Sequence, residues 1–82
     1  MDHVIQTASQ VGIHIRSRRQ ALKLTQADAA TSMGLSQKRL SALERNPDRL
    51  TMEQLLALAS TLQLDIVLRE KSDKPKRKPG EW

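Results

Sequence analysis

Apolar residues recur every three to four positions within four segments of the chain, and this spacing predicts four helices. It places the apolar side chains on one face of each helix. Residues 1–6 precede the first segment as a short arm. The predicted helices run from Thr7 to Leu22, from Gln26 to about Met33, from Ser36 to Arg45 and from Thr51 to Leu62.

The inward faces of these helices are aliphatic. In the first helix Val4 extends the apolar stripe backwards into the arm, and Gly12, a weak helix former, stands in the middle. The other predicted core positions are Ala8, Val11, Ile15 and Leu22 in the first helix, Leu40 and Leu43 in the third, and Leu55, Leu58, Ala59 and Leu62 in the fourth.

Capping residues mark where the helices start. Thr25 with Asp28, and Thr51 with Gln54, have the spacing of a capping box, in which the two side chains satisfy each other's free backbone N–H groups. Ser36 is the predicted cap of the third helix.

Helix-breaking residues mark where the helices end. Gly34 ends the second helix, so a tight turn at Gly34 and Leu35 joins the second helix to the third. The third helix ends at Asn46-Pro47-Asp48, because Asn tolerates the left-handed conformation and Pro cannot continue a helix.

The segment after the fourth helix, Asp65 to Glu70, predicts a short strand. It is brief and contains a β-branched pair, and a lone strand has no partner within this chain. Ile66 and Leu68 on one face and Val67 on the other are the predicted dimerisation residues; the alternative is a solvated extended linker. Residues 1–70 are thus one predicted domain, and residues 71–82, with two prolines and a basic run, a disordered tail.

Composition narrows the class of protein. The chain of 82 residues is one small domain without Phe or Tyr, so its core is aliphatic, which favours helices and burial against a second copy. It has no Cys, and it lacks both a long apolar segment and the layout of a signal peptide. We therefore expect a cytoplasmic, nucleoid-associated protein that does not bind membranes.

The charge points to a polyanionic partner. The net charge is +5, with a pI near 10.3. Residues 71–82 carry five Lys or Arg and two acids, so only +2 remains for residues 1–70. Binding by the folded part must therefore depend on where its charges lie.

The second and third predicted helices form a helix-turn-helix unit, the geometry that sets a recognition helix into the major groove. With Leu40 and Leu43 inward, the third helix directs polar and small residues outward and carries no acid there. The predicted base contacts are Gln37, Lys38, Ser41 and Ala42. The predicted phosphate contacts are Gln26, Lys23, Arg39 and Arg45. The alternative is an ordinary solvated face.

The ordered residues Leu24-Thr25-Gln26, Gly34-Leu35-Ser36-Gln37, Leu40-Ser41 and Leu43-Glu44 resemble the Cro/C1-type (XRE) helix-turn-helix family of the lambda and 434 phage repressors. The resemblance implies an all-α bundle of four to five helices that binds palindromic DNA. It assigns base reading to Gln37 and phosphate clamping to Gln26. It also implies a structural ion pair between Arg19 and Glu44. Two positions depart from the pattern: Ala29-Ala30 replaces the usual Leu-Ala, and Lys23 stands where Gly is common.

Three further segments resemble the HipB antitoxins within that family: Glu44 to Asp48, Leu64 to Glu70, and Glu81-Trp82. This resemblance implies a repressor of a type II toxin–antitoxin operon, with the strand at 65–70 pairing across a homodimer. It also implies that Trp82 contacts a HipA-type Ser/Thr kinase toxin, either a single chain or a split form with a small accessory subunit.

Two other functions stay open at this point. One is a stand-alone phage or restriction-modification regulator without a toxin, and the other is a protein-interaction adaptor that uses the fold as a scaffold. We expect no enzymatic activity, metal or cofactor, because His3 and His14 stand apart from any nucleophile or carboxylate constellation and there is no Gly-rich phosphate loop.

Overall fold

The computed structural model describes residues 2–71, and within them it contains four α-helices and no strand. The predicted all-helical architecture is therefore confirmed. The helices are α1 (Ala8–Ala21), α2 (Gln26–Met33), α3 (Gln37–Arg45) and α4 (Met52–Thr61), with a single 3₁₀ turn at Pro47–Arg49. None of the helices in this part of the chain has the length and apolarity needed to cross a bilayer.

Side-chain caps fix where each helix begins. The Thr25 hydroxyl accepts from the backbone N–H of Asp28 at 3.0 Å, and the Asp28 carboxylate accepts from the backbone N–H of Thr25 at 3.1 Å. Thr51 and Gln54 form the same reciprocal pair at the start of α4. The Ser36 hydroxyl accepts from the backbone N–H of Arg39 at 3.1 Å and caps α3. The first residues of these helices follow from local sequence alone.

Three of the helices end in the same local structure. One residue adopts a positive φ, 59° at Lys23, 72° at Gly34 and 56° at Gln63, and a leucine follows each of them. The backbone N–H of each leucine returns to a carbonyl five residues earlier: Leu24 to Arg19 at 3.0 Å, Leu35 to Ala30 at 2.8 Å and Leu64 to Ala59 at 2.8 Å. These are Schellman ends, and their leucines pack against the core. Lys23 thus adopts the conformation for which glycine is favoured.

The core is small and aliphatic. α2 packs against α3 and α4, while α1 packs against α3 and the 3₁₀ turn. Ala29 and Ala30 are both buried, and their small side chains bring the backbone of α2 close to its neighbours. The buried cluster consists of Ile15, Ala29, Ala30, Leu40, Leu58 and Leu62.

Gly12 marks the closest approach of α1 to the rest of the fold. A Cβ at this position would lie 2.9 Å from Cγ of Pro47 and 3.1 Å from the carbonyl oxygen of Glu44. The glycine lets the helix backbone rest on the proline ring that follows α3. A residue that looks unfavourable for helix formation is therefore required for packing.

Several details differ from the sequence-based expectations. Val4 and Ala8 were predicted core positions, but both are exposed. Val4 precedes α1, Ala8 is its first residue, and burial in α1 begins only at Gly12. Asn46 has φ −128° and is not left-handed; Pro47 alone prevents continuation of α3. Residues 65–70 form no strand in the single chain, and their pairing with a second copy stays a prediction. Residues 72–82 of the predicted tail, which include the predicted toxin contact Trp82, lie outside the described residues.

Candidate nucleic-acid interface

The helix-turn-helix unit comprises α2, the left-handed Gly34, Leu35, the cap Ser36 and α3. The Leu35 N–H bonds the Ala30 carbonyl, and this bond closes the turn between the two helices. Gly34 has open space around its Cβ position, so its positive φ, not crowding, favours glycine there. This turn sets the orientation of α3 relative to α2.

The outer face of α3 is polar and accessible. Leu40 and Leu43 are buried, and on the opposite side Ser41 and Ala42 are partly exposed. The exposed members of the predicted interface on α3 are Gln37, Lys38, Arg39 and Arg45. No acidic side chain is exposed on α3, because its single acid, Glu44, is buried. The face therefore presents donors and small groups without repelling phosphate.

Gln37 and Gln26 contact one another at the N-terminal ends of α3 and α2. Nε2 of Gln37 donates a hydrogen bond to Oε1 of Gln26 at 3.2 Å. Gln37 retains its carbonyl oxygen and its second amide hydrogen, the acceptor and donor that match the N6–H and N7 of adenine. The predicted base-reading and phosphate-binding residues are thus linked in the free protein.

Glu44 joins this pair to the interior. Nε of Arg19 donates to Oε2 of Glu44 at 2.8 Å, and Nη2 of Arg19 donates to Oε1 at 3.3 Å. Oε1 also accepts from Nε2 of Gln26 at 3.0 Å. The side chain of Glu44 is 1% exposed and that of Arg19 is 11% exposed, so the pair is almost fully desolvated. A continuous hydrogen-bonded path runs from Arg19 to Gln37.

Three contacts of this network were not expected from the sequence: the approach of Arg16 to Glu44, the bond from Gln26 to Glu44 and the bond from Gln37 to Gln26. Arg16 lies one helical turn before Arg19, and its Nε is 3.9 Å from Oε1 of Glu44. The bond from Gln26 to Glu44 joins residues that are 18 positions apart. The spacing of Arg16 and Arg19 on α1 is a sequence signal for the contact of Arg16 with Glu44. The hydrogen bonds of Gln26 depend instead on how α2 and α3 pack.

The remaining predicted phosphate contacts lie at the rim of this face. Lys23 is exposed at the left-handed end of α1, just before α2. Nη1 of Arg45 donates to Oγ of Ser41 at 3.4 Å, one turn earlier on α3. This long bond joins a predicted phosphate contact to a predicted base contact.

Other features lie away from α3. The rings of His3 and His14 stack with their centroids 4.0 Å apart, so the arm folds against α1. Among residues 2–71 there is no cluster of three or more metal-ligating side chains. The predicted dimerisation residues Ile66, Val67 and Leu68 are all exposed in the single chain.

Comparison with known proteins gives the family. No curated protein matches the chain. A helix-turn-helix family model matches residues 15–68, which is more than half of the 82 residues and includes α2, the turn, α3 and α4. The chain therefore belongs to the Cro/C1-type (XRE) helix-turn-helix family of DNA-binding transcriptional regulators.

Proposed function

We propose that this protein is a homodimeric repressor that reads a palindromic operator and acts as the antitoxin of a HipBA-like operon. The main support for DNA reading is the hydrogen bond that Gln37, on the acid-free outer face of α3, donates to Gln26 at the start of α2. This bond holds an amide at the accessible end of the recognition helix before DNA arrives, which lowers the entropic cost of forming a base contact.

Base reading belongs to four residues. Gln37 accepts from and donates to adenine, and Lys38 donates to the O6 and N7 of guanine. Ser41 bonds either kind of edge, and the Ala42 methyl contacts the thymine methyl. Their spacing along one face of α3 covers successive base pairs of a half-site.

We assign phosphate binding to residues at the rim of the outer face of α3. Gln26 stands in the first turn of α2, where backbone N–H groups are free, and its second amide hydrogen is not used by Glu44. Lys23, Arg39 and Arg45 are exposed and add cationic contacts. Such contacts position the protein and make its affinity fall with salt.

Dimerisation belongs to the segment after α4. Ile66, Val67 and Leu68 expose apolar surface in consecutive positions, and within residues 2–71 the backbone of this segment pairs with no other strand. Pairing with the same segment of a second copy buries the apolar side chains and gives the backbone N–H and C=O groups hydrogen-bond partners. A two-fold dimer also matches the symmetry of a palindromic operator.

The antitoxin role rests on the resemblance of Glu44 to Asp48, Leu64 to Glu70 and Glu81-Trp82 to the HipB antitoxins. In this proposal Trp82 contacts a HipA-type kinase toxin in the cytoplasm, where the operator also lies. A kinase-like gene adjacent to this gene is expected only for an antitoxin, and Trp82→Ala should weaken toxin binding while DNA binding persists. A stand-alone regulator would have no such neighbour.

DNA reading is tested by titrating labelled DNA from upstream of this protein's own gene and a scrambled duplex at two salt concentrations. Fluorescence anisotropy should show tighter, salt-sensitive binding to the native duplex, and Gln37→Ala should reduce the preference. Gln20→Ala, the same chemical change at an exposed position of α1, is the control. Equal binding to both duplexes by the wild-type protein would favour the adaptor function.

A further inference from the structure

Exposure increases steadily along the segment that leaves α4. Leu64 packs against the core cluster, whereas Ile66 is 47% exposed, Val67 74% and Leu68 97%. Three consecutive apolar residues therefore extend away from their own domain. An exposed apolar run with an unpaired backbone favours association through both its side chains and its N–H and C=O groups.

Two-fold symmetry restricts how two copies of this segment can pair. In an antiparallel pair of identical strands the axis is perpendicular to the sheet, and directly opposite residues must share a face. One residue therefore lies opposite its own copy. Each register is defined by that central residue, and the segment offers Ile66, Val67 or Leu68.

The register centred on Val67 matches both charge and hydrophobicity. Asp65 lies opposite the partner's Arg69, and Ile66 lies opposite the partner's Leu68. Symmetry repeats each pair and adds the central pair of Val67 with its own copy, so the interface contains two opposite-charge pairs and three aliphatic pairs. Pairs of both kinds stabilise antiparallel strands. At the two ends of the interface Leu64 lies opposite the partner's Glu70.

The two neighbouring registers are less complementary. Centring on Leu68 places Ile66 opposite Glu70 and Val67 opposite Arg69, although Asp65 then faces Lys71. Centring on Ile66 instead places Arg69 opposite Gln63 and Asp65 opposite Val67. Each therefore sets a charged side chain against an apolar one directly beside the central pair, whereas the Val67-centred register does so only at its ends.

We propose that a second copy of this chain occupies the exposed segment in the Val67-centred register. Leu64, Ile66 and Leu68 then share one face, and Leu64 already packs on the core. Each Leu68 lies beside the partner's Ile66 and next to the partner's core, which accounts for its exposure in the single chain. The inference deepens the dimer of the proposed function and rests on it.

Among residues 2–71, Arg69 forms one ion pair. Its Nη1 lies 3.6 Å from Oδ2 of Asp2, and both side chains are largely exposed, at 67% and 87%. Exposed pairs of this kind add little stability, so exchange for the partner's Asp65 is easy. The variant Asp2→Asn separates this contact from the interchain pair.

The test uses Asp65→Arg and Arg69→Asp, which make each chain uniformly positive or uniformly negative at the two positions. Analytical ultracentrifugation without DNA should show each variant dimerising on the order of tenfold to a hundredfold more weakly than the wild type. An equimolar mixture should recover the dimer as a heterodimer, detected by native mass spectrometry. Asp2→Asn and Lys71→Glu should leave the wild-type dimer unchanged, and circular dichroism should show equal helix content throughout.

Several outcomes would overturn the inference: a monomeric wild type, two variants that dimerise normally, or a mixture without heterodimer. Loss of the dimer in Lys71→Glu with retention in Arg69→Asp would assign the Leu68-centred register instead. A chain that pairs only with a different protein would overturn it too. Correct heterodimer formation without operator binding would leave this inference intact and overturn only the proposed DNA reading.

Discussion

Glu44 is an acid close to a surface that must approach DNA, and its neighbours determine whether its charge reaches that surface. Arg19 binds it in a two-pronged ion pair, Arg16 approaches it at 3.9 Å, and Gln26 donates to it from α2. With 1% of its side chain exposed, Glu44 is satisfied from all three sides. Its role in the free protein is to fix Gln26, and through Gln26 to hold Gln37.

Replacing Glu44 by alanine should be strongly destabilising. The change leaves the guanidinium of Arg19 buried without its partner, at a cost of about 3–5 kcal/mol. Urea denaturation should show this loss, and the double variant Arg19→Met with Glu44→Ala should recover part of it because no charge is left unpaired. A single-variant loss below about 1 kcal/mol would contradict the structural role of the pair.

Replacing Gln26 by alanine should change both affinity and base preference. From the sequence alone we would expect uniform weakening, since phosphate contacts carry no base information. The bond from Gln37 to Gln26 alters this expectation, because its loss frees the base-reading amide. Binding to the operator and to single-base variants of it should show reduced discrimination at the base that Gln37 contacts. Equal weakening on every duplex would mean that Gln26 does not orient Gln37.

The helix boundaries are the most predictable part of the fold. Each cap uses residues three positions apart, so Thr25 with Asp28 and Thr51 with Gln54 could be found from spacing alone. The requirement for Gly12 could not, because it comes from Pro47, which lies on another element. The same holds for the bond between Gln26 and Glu44. Local rules predict where helices begin, whereas tertiary packing determines which side chains meet.

Glycine at the two strained helix ends should stabilise the protein. Lys23 and Gln63 have φ of 59° and 56°, where a Cβ costs energy and glycine does not. Lys23→Gly and Gln63→Gly should each raise the free energy of unfolding by about 0.5–1 kcal/mol, measured by thermal unfolding without DNA. Gln20→Gly, inside α1, should lower it by a similar amount. Destabilisation by all three variants would contradict the left-handed assignments.

The cap of α2 should respond to acid. Hydrogen bonds from the backbone and then the side chain of Thr25 lower the pKa of Asp28 below its ordinary value of 3.8. Because the folded pKa is the lower one, its stabilising effect is fully present above pH 3.8 and is lost as pH falls through the lowered pKa. Asp28→Asn should therefore have a lower free energy of unfolding than the wild type near neutral pH, and this difference should shrink in acid. A constant difference across this range would contradict the assignment.

More of the domain's core than of its proposed dimer could be predicted from the sequence. Aliphatic spacing places Leu40, Leu43, Leu58 and Leu62 in the core, where the structure buries them. The segment after α4 is different, because a strand that pairs with a second copy has no partner in one chain. Its residues have no regular secondary structure and are exposed. Dimerisation is therefore inferred from the complementarity of the segment to itself, and the antitoxin role from resemblance.

In the proposed function two copies of α3 read a symmetric operator, and selection of binding sites from random duplex DNA would show whether they do. We expect enrichment of a two-fold symmetric sequence with half-sites one helical turn apart, roughly 34 Å, or a multiple of that distance. With Lys38→Ala, the preference at one base pair of each half-site should be lost, at a cost of roughly 1–3 kcal/mol. If the wild-type protein enriched no sequence, or if Lys38→Ala left its base preferences unchanged, α3 would not be the element that reads the operator.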